Sequence, residues 1–165
     1  MRKVLAVLTV LAAALVVAPA PAPAAAASNG SDRAARGGGA KARVIALTNA
    51  RREARGCNPL RSRPALMRAA QKHTNKMRNQ GRLDHQLSGE PDLGSRVSRE
   101  GYRWSMVAEN IAYGHASPRA VVRGWMRSEG HRRNILNCRL RHIGIGIATD
   151  GAGRKYWTQV FARPL

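Results

Sequence analysis

The chain has 165 residues and carries 29 basic against 9 acidic side chains, a formal net charge of +20 and a pI near 11.8. That length suits one domain and leaves no room for two sizeable cores. A hydrophobic fraction of 44% excludes wholesale disorder, and a single apolar run, Val4 to Ala18, excludes a multi-spanning membrane protein. Of the basic residues, 24 are Arg and 5 are Lys. The excess predicts attraction to anionic surfaces. A solvated basic surface accounts for it without a dedicated nucleic-acid site.

Arg2 and Lys3 precede the apolar run, and APAPAPAAAA follows it. This order of positive, apolar and small-residue segments is that of a secretory signal peptide over residues 1–27, with cleavage after Ala27. No Cys follows the run, which argues against a lipoprotein anchor, and no stable membrane span is expected after cleavage. An exported chain is localised as secreted, and its two cysteines meet an oxidising environment. Cys57 and Cys138 lack CxxC spacing and are expected to form a structural disulfide. The 81-residue separation makes the bridge worth roughly 4–5 kcal/mol by chain entropy.

Residues 28–40 (SNGSDRAARGGGA) read as a flexible Gly-rich leader, and a domain spans 41–165. Val44, Leu47 and Ala54 share a helical face that Gly56 and Asn58-Pro59 bring to an end. Pro64 opens a second helix with Leu66, Ala70, His73 and Met77 on one face, closed by Gly81. His73, on that apolar face, is expected to be packed and hydrogen-bonded. Residues 83–94 form a loop containing His85, and a short helix over 93–99 is stopped by Gly101. Ser117-Pro118 starts a helix with Val121, Val122 and Trp125 as its stripe. Gly130 interrupts, and residues 132–137 form a further helical turn. Ile143, Ile145 and Ile147 then alternate with Gly144 and Gly146, a strand with one bulky and one bare face. Asp150-Gly151 marks a turn, and Tyr156 to Phe161 completes an antiparallel hairpin. Helices first and strands later indicate an α+β fold.

The residues with chemistry to offer are His85, Glu109, Glu129 and His131, with Ser128 beside them. Two imidazoles and two carboxylates could bind zinc or another divalent cation, or act as acid and base around a water. The sequence contains no GxSxG, HExxH, P-loop or paired CxxC. The few aromatics make a poor base-stacking platform, so no specific nucleic acid is expected.

AENIAYG at Ala108 to Gly114, GWMRSEGHRRNIL at Gly124 to Leu136, HIGIGIA at His142 to Ala148 and YWTQVFA at Tyr156 to Ala162 occur in that order. With GCNPL at Gly56 and the helix from Pro64, they resemble the CAP superfamily. This superfamily contains cysteine-rich secretory proteins, antigen 5 and pathogenesis-related proteins, and small bacterial exported members. The resemblance covers residues 41–163 and implies a CAP-type α-β-α sandwich, with a small antiparallel sheet between helical layers. It also implies a cleft of two histidines and two acids. His85, Glu109 and His131 match three of these positions. The second acidic position falls by count on Ser128, with Glu129 the nearby carboxylate. The functions the resemblance implies are several. The first is a secreted, non-enzymatic binding module for a lipid, a sterol or a cell-envelope polymer, with a divalent-cation cleft. The alternatives are an extracellular metal-assisted hydrolase and, from the charge alone and not from the resemblance, a basic polyanion or nucleic-acid binder.

Overall fold

The structure, a computed structural model, describes residues 39–165; the signal peptide and nearly all of the leader expected from the sequence lie outside the described residues. Alternation places Gly144 and Gly146 on one face of a strand, and that bare face is where a helix lies closest. In strand β3 (His142–Thr149), a Cβ added at Gly144 would sit 2.1 Å from the backbone carbon of Leu66, and one at Gly146 would sit 2.3 Å from the Ala70 carbonyl oxygen. The helix concerned is α2 (Pro64–Gln80), whose buried stripe is Leu66, Ala69, Ala70, His73, Thr74 and Met77. Two glycines and two alanines bring helix and strand backbones together.

Before α2 come α1 (Ala40–Glu53) and the two-residue strand β1 (Arg61–Ser62). After it come α3 (Leu93–Arg99), β2 (Trp104–Tyr113), α4 (Pro118–Arg127) and α5 (Glu129–Ile135), then β3 and β4 (Lys155–Pro164). The sheet order is β1-β3-β4-β2, with β1 parallel to β3 and the other pairings antiparallel. The C-terminal hairpin is therefore the centre of the sheet, and the sheet is mixed because of β1. On one face, Leu66, Ala69 and Ala70 of α2 and Val97 of α3 pack on Val160 and Ala162. On the other, Val44 of α1, Val121 and Trp125 of α4 and Ile135 of α5 pack on Ile143, Ile145, Trp157 and Phe161. This is an α+β domain with the sheet between helical layers.

Several boundaries differ from the sequence expectation. The α1 face is buried at Val44, Thr48 and Arg52, while Ala54 is an exposed cap beyond the helix. Arg52 is fully buried, and its guanidinium donates to the carbonyls of Asn58, Ile135, Asn137 and Leu140. It thus satisfies carbonyls left free after the end of α5. Gly130 does not interrupt a helix; it sits in the first turn of α5. Strands β1 and β2 were not anticipated. Ser117 caps α4 as expected, its hydroxyl accepting from the Ala120 amide at 3.2 Å.

Cys57 and Cys138 are joined in a disulfide across 81 residues, tying the end of α1 to the segment between α5 and β3. Replacing both by Ser is expected to lower unfolding free energy by up to about 4–5 kcal/mol in urea denaturation. Gly144→Val drives a side chain into the α2 backbone and is expected to cost at least about 2 kcal/mol by the same measurement. An unchanged midpoint would mean that α2 does not rest on β3.

Candidate functional site

Strand β2 ends the sheet, so one edge of it has no neighbouring strand. Its outward carbonyls are covered by side chains instead: Trp125 Nε1 of α4 donates to Ile111 O at 3.1 Å, and Asn134 Nδ2 of α5 to Glu109 O at 3.1 Å. Covering an edge in this way satisfies its polar groups. It also draws α5, which carries His131, against the strand that carries Glu109.

Successive β2 side chains point to opposite faces. Glu109 faces α2, and Asn110 faces α1 and α5. Asn110 Nδ2 donates to His131 O at 3.2 Å and to Gln159 Oε1 at 3.0 Å, while Asn134 Nδ2 donates to Asn110 Oδ1 at 2.9 Å. Gln159 Nε2 continues the chain to Thr48 Oγ1 at 2.8 Å. These buried amides link α1, β4, β2 and α5 and hold the backbone at His131.

On the α2 side, the Glu109 carboxylate is buried and fully engaged. Its Oε1 accepts from His85 Nδ1 at 2.8 Å, and Arg96 Nη2 donates to both oxygens at 3.2 and 3.1 Å. Arg96 Nη2 also reaches His85 O at 3.2 Å, so one guanidinium steadies both the acid and the loop bearing the histidine. The His85 side chain is 55% exposed. With Nδ1 committed to Glu109, its Nε2 is left for a ligand.

His73 lies beneath the same carboxylate. Its Nδ1 donates to Glu90 Oε2 at 2.8 Å, and its Nε2 stands 3.7 Å from Glu109 Oε1 without a hydrogen bond. Burial lowers its pKa; Glu109 and Glu90 act against that shift and Arg96 with it. The imidazole is therefore neutral, and the lone pair on Nε2 faces another acceptor. His131 is also held below the ordinary imidazole value, first by burial and second by the charge on His85. That coupling puts His85 and His131 within electrostatic reach of each other.

The sequence candidates thus separate. His85 and Glu109 are hydrogen-bonded, and His131 is held by its carbonyl to Asn110, the neighbour of Glu109 on β2. Glu129, a candidate for the second acid, is exposed and pairs with Arg133 one turn along α5. The i,i+4 spacing directs it along the helix surface. Ser128 is the N-cap residue of α5, with no side-chain cap hydrogen bond. Among the described residues, no group of three or more His, Cys, Asp or Glu side chains is arranged to hold a metal ion. Two imidazoles are on offer, and the carboxylate beside them is occupied by a guanidinium. The residues present therefore do not complete a zinc site, which takes three or four protein ligands.

Comparison with known proteins shows the family. The model of the cysteine-rich secretory protein family, CAP, matches residues 45–161. The chain belongs to the CAP family. Its CAP domain is 38% identical over 122 residues to the uncharacterized protein YkwD of Bacillus subtilis, covering 72% of this chain and 45% of that protein. The uncharacterized membrane protein YlbC of the same organism is 31% identical over 120 residues, covering 73% and 33%. The chain thus spans less than half the length of these curated relatives. Among solved structures, an extracellular protein of Bacillus anthracis containing an SCP domain superposes with a TM-score of 0.70 at 29% identity, covering 74% of this chain and 40% of that one. An outer surface protein of Borrelia burgdorferi superposes at 0.69 with 18% identity, covering 74% and 90%, which shows the shared fold.

Two members of the CAP domain's polar cluster, Arg96 and Glu90, were not singled out from the sequence. The available signal was a polar residue within an apolar face: Arg96 falls between Leu93 and Val97, as His73 falls between Ala70 and Met77.

The lowered histidine values set the sign of a pH effect. An unfolded His titrates near pH 6.5. Below that value the unfolded chain binds more protons than the folded one, until the folded groups also titrate. The contribution of neutral His73 and His131 is therefore fully present above about pH 7 and is lost on acidification. Urea midpoints measured at pH 7.5 and pH 5.5 are expected to fall; equal midpoints contradict the burial of these neutral rings.

Proposed function

We propose that this CAP domain is a secreted, non-enzymatic binding module that takes an anionic cell-envelope polymer. The observation that carries the reading is how the domain distributes its charge. The described residues contain 25 basic and 8 acidic side chains. The acids are largely spent internally: Glu90 and Glu109 in the buried cluster, Glu100 on Arg68 and Lys72, Asp150 on Arg154, and Asp92 as the cap of α3. The exposed surface is left with uncompensated guanidiniums.

One concentration of these lies on α5, the helix that carries His131. Arg55 and Arg132, with Arg133 in its pair with Glu129, line a groove of about 630 Å³ with Leu136 and Asn137. Arg132 and Arg133 directly follow His131 in α5, so the groove shares its helix with that histidine. Export is supported by the N-terminal sequence pattern, by the disulfide, and by the extracellular and outer-surface descriptions of two structural neighbours. No described helix is long and apolar enough to cross a membrane.

Attraction between exposed charges is screened by salt, whereas apolar burial is not. Binding to a polyglycerol phosphate polymer is expected to weaken at least about tenfold between 50 and 300 mM NaCl. It is expected to weaken similarly in Arg55→Gln/Arg132→Gln. Salt-insensitive binding to neutral sterol or phosphatidylcholine vesicles, with no retention of the polymer, overturns this reading.

A further inference from the structure

Strand β1 brings a second group of cations together on the opposite side of the sheet order from β2. The Arg61 amide donates to Arg141 O at 3.0 Å, and Arg61 pairs in register with His142. Arg61, Arg141 and His142, with Asn58, Pro59 and Pro164, line a cleft of about 450 Å³. No acidic side chain among the described residues lines it, and neither Arg61 nor Arg141 is in an ion pair there. The cleft between α2 and α3 differs: Glu90 and Glu100 line it together with its cations.

His142 makes this more than a patch of surface arginines. It is only 9% exposed, and its Nδ1 is hydrogen-bonded to the Tyr102 hydroxyl. The Tyr102 hydroxyl thus occupies Nδ1 and leaves Nε2 as the ring's open nitrogen. Nε2 has no hydrogen-bond partner among the described residues, and in the tautomer in which Tyr102 donates to Nδ1 it carries the ring's hydrogen. Burial, followed by Arg63 and Arg61, lowers the His142 pKa. The two arginine contributions are those of guanidiniums that no carboxylate offsets at the ring.

We propose that this cleft binds a phosphate group, held by the Arg61 and Arg141 guanidiniums and by His142 Nε2–H. Guanidinium forks match phosphate oxygens in paired hydrogen bonds. A dianionic phosphate presents enough oxygens for three donor groups and matches the two fixed positive charges. A carboxylate leaves one donor unmatched. The site uses none of His85, Glu109 and His131 and none of the residues of the α5 groove, so it stands or falls independently of the polymer reading.

Inorganic phosphate titrated into the protein at 300 mM NaCl, followed by NMR of the His142 ring and the β1 and β3 amides, tests the site. Saturable shifts with a midpoint on the order of 1 mM are expected. Arg61→Gln/Arg141→Gln, two exposed positions, is expected to weaken binding at least about tenfold without moving the urea midpoint. His85→Ala and Arg55→Gln/Arg132→Gln are expected to leave it unchanged. Phosphatidylcholine vesicles with and without phosphatidic acid identify the source. Capture that needs phosphatidic acid and both arginines assigns the phosphate to a lipid headgroup; saturation by free phosphate alone assigns it to a soluble ligand. Shifts that never saturate, that persist in the β1–β3 double variant, or that vanish in His85→Ala overturn the proposal.

Discussion

The closeness of α2 to β3 is the constraint on which the rest of the domain depends. Gly144 and Gly146 leave no side chains on that strand face, and α2 settles there until backbone meets backbone. Thr74 then reaches Thr158 Oγ1 at 2.7 Å, and His73, on the same helix face, arrives beneath Glu109. Larger residues at the two glycines would lift the helix and withdraw His73 from the carboxylate. A packing condition in the hairpin thereby sets the position of a polar group two strands away.

The second organising feature is the edge of β2. A strand edge needs covering, and Trp125 and Asn134 cover this one from α4 and α5. Since α5 also carries His131, closing the sheet and bringing the His131 backbone to β2 are one event. The Asn110–Asn134 pair joins the two, and Gln159 and Thr48 extend the connection to α1. Fully satisfied buried polar networks specify one arrangement strongly, because losing any partner strands another in low dielectric.

Charge follows from the same economy. The domain has few carboxylates and places several in its interior, where Arg96, His73 and His85 surround them. Arg52 is a further case, a buried guanidinium satisfied entirely by carbonyls. What remains outside is mostly positive, with Glu53 and Glu129 among the exposed carboxylates, so the informative differences lie between clefts that contain carboxylates and those that do not. The α5 groove and the β1–β3 cleft are distinguished on that basis from the one between α2 and α3.

Local patterning in the sequence was enough for the α2 stripe, the Ser117-Pro118 start of α4, the Ile/Gly alternation of β3 and the Cys57–Cys138 bridge. Each depends on spacing, capping or the availability of a single partner. Strand β2 escaped it because both its faces are buried: WSMVAENIAY has no clean apolar–polar alternation, with Glu109 satisfied on one side and Asn110 on the other. His85, Glu109 and His131 were singled out from ordered motifs, but Arg96 meets Glu109 only when α3 folds over the loop after α2. Glu129 shows the converse, since adjacency to His131 in the chain does not turn a helix-surface carboxylate towards the cleft. The sequence by itself determined which segments are helical, which face of β3 is bare and how the cysteines pair. Only the tertiary structure decided which charged groups meet in the buried cluster, because Arg96, Glu109, His85 and His73 come from different segments and their pairing depends on where α2 and α3 come to rest on the sheet.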